Sequence, residues 1–332
     1  MAARRRWVGN RVALAVLALV ALAGVSACSG SSTPHARGAT PTPTPTTWAP
    51  ASTIALSRGD APQNIIGAFG SLWVPAHHAG VLVRVDPSAG KVVARIKVGP
   101  KPGSVVESAD ALWVVDYEAP LLIEVNPKTN AVVRRITLPA PGCCQAAITD
   151  GLVWVSSGEG DSANLEAYDT TTGKRVRRLH FLAQPAFALG KLWATKSTGD
   201  LVQVNPANGA VTGTAAPAAA GLDAHAASHE LAWAATAGGG VVGLDATGAV
   251  KVEAKASDGN PIFQGGGQVV AGADSVWVAD ELGNVSRIDP MTGMATRLTT
   301  LDPSYTTLAE LDGRLWVAEF EADKLLGFDL PR

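Results

Sequence analysis

Ionisable side chains gather at a few places in this chain: His77-His78, Asp116-Tyr117-Glu118, Glu159 and Asp161, Lys196 and Asp200, Asp280-Glu281, and Glu319, Glu321 and Asp323. Acidic residues dominate. Carboxylates held close together repel one another, and such a group lowers its energy by taking up a divalent cation or a cationic ligand. The competing reading is a solvated acidic rim, because exposed charge is ordinary. If the site is catalytic, His77, Glu118 and Glu281 are the residues to carry acid–base work. No metal-ligand set is assigned.

Cys143-Cys144 is the other unusual pair. Adjacent cysteines close a strained vicinal disulfide, a rigid soft surface against which a flat ligand stacks, and the strain makes the bond reducible. As thiolates they would instead favour a soft metal, and as a buried pair they would be structural. Ser104 and Gln264 stand in comparable connecting segments, as do Asn64, Gln145 and Tyr305, and these last three complete a candidate ligand-binding set with His77, His78, Tyr117, Glu118, Cys143, Cys144, Glu281 and Glu319. The chain has no Gly-x-Ser-x-Gly elbow, His-Glu-x-x-His motif or phosphate loop. Nucleophilic, zinc-protease and nucleotide chemistry therefore lack motif support.

The elements that position these residues follow from the tryptophans. An apolar residue followed by Trp occurs at Trp73, Trp113, Trp154, Trp193, Trp233, Trp277 and Trp316, with steps of 40, 41, 39, 40, 44 and 39. That period fits a four-stranded blade, so the fold class is all-β, a seven-bladed propeller over 51–332. In blade one the inner strand is read at Asn64 to Phe69, followed by Leu72 to Pro75, Val81 to Asp86 and Lys91 to Val98. Asp86-Pro87-Ser88-Ala89-Gly90 and its counterparts at Asn126, Asp169, Asn205 and Asp289 read as hairpin turns. Loops between strands two and three, and between blades, share one face and diverge from copy to copy. The candidate site is expected there.

The last copy ends after its third strand, so Thr53 to Ser57 is expected to supply the fourth and remove an open sheet edge. Ahead of the ring, Arg4-Arg5-Arg6 and an apolar run from Val12 to Ala23 lead to Val25-Ser26-Ala27-Cys28. This reads as a lipoprotein signal peptide over 1–27 with Cys28 lipidated. The Ser/Thr/Pro-rich segment 28–50 reads as a disordered linker, long enough to hold the propeller roughly 60 Å from the membrane. With the four leader arginines removed, 23 basic residues face 29 acidic ones, about −6 in net charge, which argues against a nucleic-acid partner.

Leu72-Trp73-Val74, Val83-Arg84-Val85-Asp86-Pro87 and Gly90-Lys91-Val92-Val93 resemble the repeats of secreted seven-bladed propellers of the YVTN and YncE type, and of the related virginiamycin B (streptogramin) lyase group. The lyase resemblance would imply a histidine base and a carboxylate-bound magnesium ion on the channel face. Thr236-Ala237-Gly238-Gly239 and Ala279-Asp280-Glu281-Leu282 carry no histidine at the corresponding loops. Some quinoprotein dehydrogenases place a vicinal disulfide against their cofactor, although their Trp follows the Thr-Gly turn. The expected function is a membrane-anchored, extracytoplasmic scaffold that binds an envelope protein or a small ligand. The alternatives are a metal-assisted lyase or hydrolase using a divalent ion, and a redox or metal sensor built on the cysteine pair.

Overall fold

The computed structural model describes residues 48–331, apart from 159–161, 197–198, 215–225, 229, 237, 266 and 273; for 143–144 and 226–228 it describes the backbone alone. The signal peptide, Cys28 and the linker as far as 47, Glu159 and Asp161 lie outside these residues. Among the described residues seven sheets form the seven blades of a propeller, antiparallel except for one added edge strand. In blade one the strands are Ile66–Ala68, Ser71–Ala76, Val81–Asp86 and Lys91–Lys97, innermost to outermost.

The core is the set of gaps between blades. Each repeat Trp is at most 1 % exposed and packs onto the following blade. Trp73 meets Val105, Leu112 and Val114 of blade two, and Trp277 meets Leu308, Leu315 and Val317 of blade seven. Trp316 meets Ile65, Leu72 and Val74 of blade one, which closes the circle. One bulky apolar side chain per repeat at one strand position is what a ring of identical wedges requires.

The turns work as their composition predicts. Asp86 Oδ1 accepts the backbone N–H groups of Ser88 and Ala89 at 3.0 and 2.9 Å, and Asn126 and Asp289 do the same for the residues that follow them. These donors hold the Asp86 and Asp289 carboxyls below their ordinary pKa. Gly90, Asn130 and Gly293 take the left-handed conformation that completes each hairpin.

Ring closure comes from the N-terminal segment. Ser52–Ala55 pairs antiparallel with the last strand, Ser52 opposite Gly327 and Ala55 opposite Lys324. Beyond it the chain is held at three more points. Asp323 accepts the N–H groups of Gly59 and Ala61 at 2.6 and 2.7 Å, and buried Asp60 forms a two-pronged ion pair with Arg95 of blade one. Trp48, within the stretch read as linker, stacks on Trp277 at 5.6 Å, packs against Phe328 at 4.5 Å and donates its indole N–H to Asp329 O. Asp60→Ala would strand a partly exposed guanidinium without its partner. The expected cost is about 1–2 kcal/mol, because the exposed side of the guanidinium is rehydrated, read as a lower urea midpoint; an unchanged midpoint would assign the pair no structural role.

Blade six has a fifth strand that the repeat pattern did not announce. Lys255–Ala256 pairs in parallel with the outer strand Met294–Thr300. The 44-residue step between Trp233 and Trp277 supplies the extra chain.

Candidate functional site

In the five repeats where it is described, the fourth residue after the repeat Trp leaves the second strand and enters the variable face. In blades seven, one and two, which are neighbours around the ring, that residue is Phe320, His77 and Tyr117. The His77 ring centre lies 6.1 Å from both Phe320 and Tyr117, and His78 stands 5.3 Å from Phe320. Tyr305, from the loop between blades six and seven, meets Phe320 edge-on at 6.5 Å. Three blades thus contribute one continuous aromatic patch.

Asn64 ties the patch together. Its side-chain amide donates to Gly103 O at 2.7 Å and to the Tyr117 hydroxyl at 3.1 Å, and its carbonyl accepts from the Tyr305 hydroxyl at 3.4 Å. The Tyr117 ring lies directly on Gly103, where a Cβ would sit 2.2 Å from a ring carbon, so only glycine admits the ring there. His77 Nδ1 lies 3.2 Å from Pro102 O. Because a carbonyl only accepts, Nδ1 carries the proton in the neutral ring and Nε2 is left as an acceptor. Burial lowers the His77 pKa against the opposing effect of that hydrogen bond.

Most of the carboxylates expected on this face are turned inward. Asp116 is fully buried and accepts the N–H groups of Lys101, Glu118 and Ala119 at 2.7–2.9 Å. Asp280, also fully buried, receives the N–H groups of Leu282 and Asn284 and the Asn284 side-chain amide. Glu319 is 1 % exposed and lies 2.9 Å from the Lys324 ammonium. These groups fasten the loops. Glu118, which lies 3.8 Å from Lys101, and Glu281 remain exposed. Among the described residues no hydrogen bond, ion pair or ring contact joins His77 to Glu118 or Glu281, and no three His, Cys, Asp or Glu side chains form a group able to hold a metal.

Beneath the patch runs the central channel. Asn64, Ser104, Gln145 and Gln268 share an upper cavity of about 340 Å³. A second cavity of about 300 Å³ continues below, walled by Ile66, Val106, Ile148 and Phe187 and bearing Glu107, whose pKa is raised by desolvation. Cys143 and Cys144 lie on the inner strand Gly142–Thr149, beside Gln145. Phe320 is absent from the candidate set read from the sequence although it directly follows one of its members, Glu319. Its offset from Trp316, matching that of His77 from Trp73, was the available signal.

The profile of the family described as outer membrane protein assembly factor BamB matches residues 78–297. No curated protein matches the chain. Among solved structures, one titled as BamB from Moraxella catarrhalis superposes with a TM-score of 0.60 at 14 % identity, covering 85 % of this chain and 99 % of that one. A chain of the mitotic checkpoint complex gives 0.70 at 13 % identity, covering 95 % and 100 %. The Pan2 WD40 domain of Neurospora crassa gives 0.65 at 9 % identity, covering 87 % and 97 %. At such identities these likenesses speak to fold alone.

Proposed function

The chain belongs to the family of outer membrane protein assembly factor BamB, and from that premise we propose that it is a protein-binding scaffold of the cell envelope whose partner docks on the aromatic patch of blades seven, one and two. The observation that carries this reading is the convergence of Phe320, His77, His78 and Tyr117 on one face while Asp116, Asp280 and Glu319 are withdrawn into their loops. Aromatic side chains fixed by their own framework give large contact area with little loss of side-chain freedom, which is the chemistry of protein-recognition hot spots. A catalytic or metal-centred reading needs converging ionisable groups, and among the described residues no three His, Cys, Asp or Glu side chains form one. Attachment to the membrane through Cys28 belongs to the same proposal. It is supported by Val25-Ser26-Ala27-Cys28 and by the likeness of the repeats to secreted YncE-type propellers.

Docking is expected to depend on pH through His77. A partner covering the patch removes more water from the ring, so the complex favours the neutral imidazole even more than the free chain does. The folded pKa already lies below the ordinary value of 6.5. The unfolded chain therefore binds the proton more readily, and the contribution of this group to stability is complete above about pH 6.5 and lost as pH falls through the depressed value. Partner affinity is expected to fall at lower pH, once the pH drops below the depressed pKa of the free chain. Binding measured between pH 5 and 8 for the native chain and for His77→Phe would show this slope in the first and lose it in the second; equal slopes would remove His77 from the interface.

A further inference from the structure

The residue nine positions before each repeat Trp is Asn64, Ser104, Gln145, Gln184, Gln268 or Thr307; the seventh such position, Ala224, lies outside the described residues. These are neutral side chains, and each offers both a hydrogen-bond donor and an acceptor. They occupy one register, on or just ahead of the innermost strand of each blade, and four of them line the upper channel cavity together.

The local backbone departs from regular pairing at this level. The inner strands of blades two, three and four slip register between Pro102 and Ser104, Cys143 and Ala146, and Ala183 and Ala186. Bulges of this kind redirect a side chain and are common beside binding sites. Asn64 and Gln184 hold φ of 35° and 49°, in the left-handed region that such residues visit at some cost. Ser104 and Thr307, at 2 % and 0 % exposure, keep their hydroxyls without a hydrogen-bond partner. Unpaired buried hydroxyls are destabilising, and Ser104 is on the cavity wall.

We propose that this ring is a binding site for a neutral polyhydroxylated ligand, a mono- or disaccharide, held in the upper channel. Among the described residues this ring consists of amides and hydroxyls, with no charge to compensate an ionic ligand stripped of water, whereas alternating sugar hydroxyls match side chains that donate and accept. The cavity of about 340 Å³ lies at the small end of the range used for small molecules. Tyr117 and Tyr305 each hydrogen-bond Asn64 and so hold one of the side chains that line the cavity. The site lies below the docking patch and does not rest on a protein partner being found.

The test is saturation-transfer NMR and calorimetry on the purified full-length chain with glucose, galactose, N-acetylglucosamine, maltose and trehalose, each set against the charged sugars glucuronate and glucosamine. At least one neutral sugar is expected to bind saturably, with Kd of about 1 mM or tighter. Gln145→Ala should weaken it about tenfold, the equivalent of about one hydrogen bond. Gln145→Glu, similar in size but charged, should weaken it at least as much, and thermal melts of both variants establish that they are folded. The proposal is overturned if no neutral sugar saturates up to about 10 mM, if the charged sugars bind equally well, or if folded Gln145→Ala and Gln145→Glu bind as the native chain does.

Discussion

Removing residues 51–57 is expected to lower the melting temperature by about 10 °C or more and to broaden the transition. The deletion strips the outer strand from blade seven, exposing the edge of Lys324–Asp329, and takes away Ile54, which is 3 % exposed and packed with Trp316, Leu325 and Val85. Losing one such aliphatic side chain costs about 2–5 kcal/mol, and each 1 kcal/mol is worth about 2–4 °C in a domain approaching this size. The lost strand pairing and the displaced neighbours, Asp60 on Arg95 and Asp323 on Gly59 and Ala61, add to it. Trp48→Ala, which leaves the strand in place, should cost less. Scanning calorimetry of the two variants reads the difference; a deletion that melts within a few degrees of the native chain would mean that blade seven stands on three strands.

Tyr117→Ala and Phe320→Ala are each expected to weaken the partner complex by about 100-fold, the loss of roughly 3 kcal/mol that buried aromatic anchors carry at interfaces. The two act differently. Phe320 is held by ring contacts with His77, His78 and Tyr305, so its loss removes area from the middle of the patch. Tyr117 also takes a hydrogen bond from Asn64, and Tyr117→Phe should keep most of the affinity because the ring still rests on Gly103. Met291, 74 % exposed in the turn between the outer strands of blade six on the opposite face, is the control. Met291→Ala should change nothing; affinity lost equally from both faces would point to general unfolding.

The architecture was readable because it depends on one repeated wedge. The Trp spacing counts the blades, the truncated seventh copy demands a strand from elsewhere, and Asp-Pro-Ser-Ala-Gly with its relatives marks the turns. Each is a local chemical requirement that survives without knowledge of contacts. The carboxylates were harder. Asp116 and Asp280 look like rim charges in sequence, and nothing in their spacing tells whether an acidic loop residue faces solvent or folds back onto the N–H groups ahead of it. They fold back. Phe320 escaped for the opposite reason, as an apolar residue among Glu319, Glu321 and Asp323 in a segment read for its charge. Comparing repeats by offset from Trp, instead of by composition, exposes both the aromatic patch and the polar ring at the head of the channel.

A photo-activated cross-linker placed at position 320, and separately at position 291 on the opposite face, tests the central claim in cells producing the full chain. The account predicts a discrete protein adduct from position 320 that disappears when Tyr117→Ala is added, and no such adduct from position 291. An adduct formed equally from both positions, one that persists in the Tyr117→Ala background, or one formed only from position 291 would contradict it.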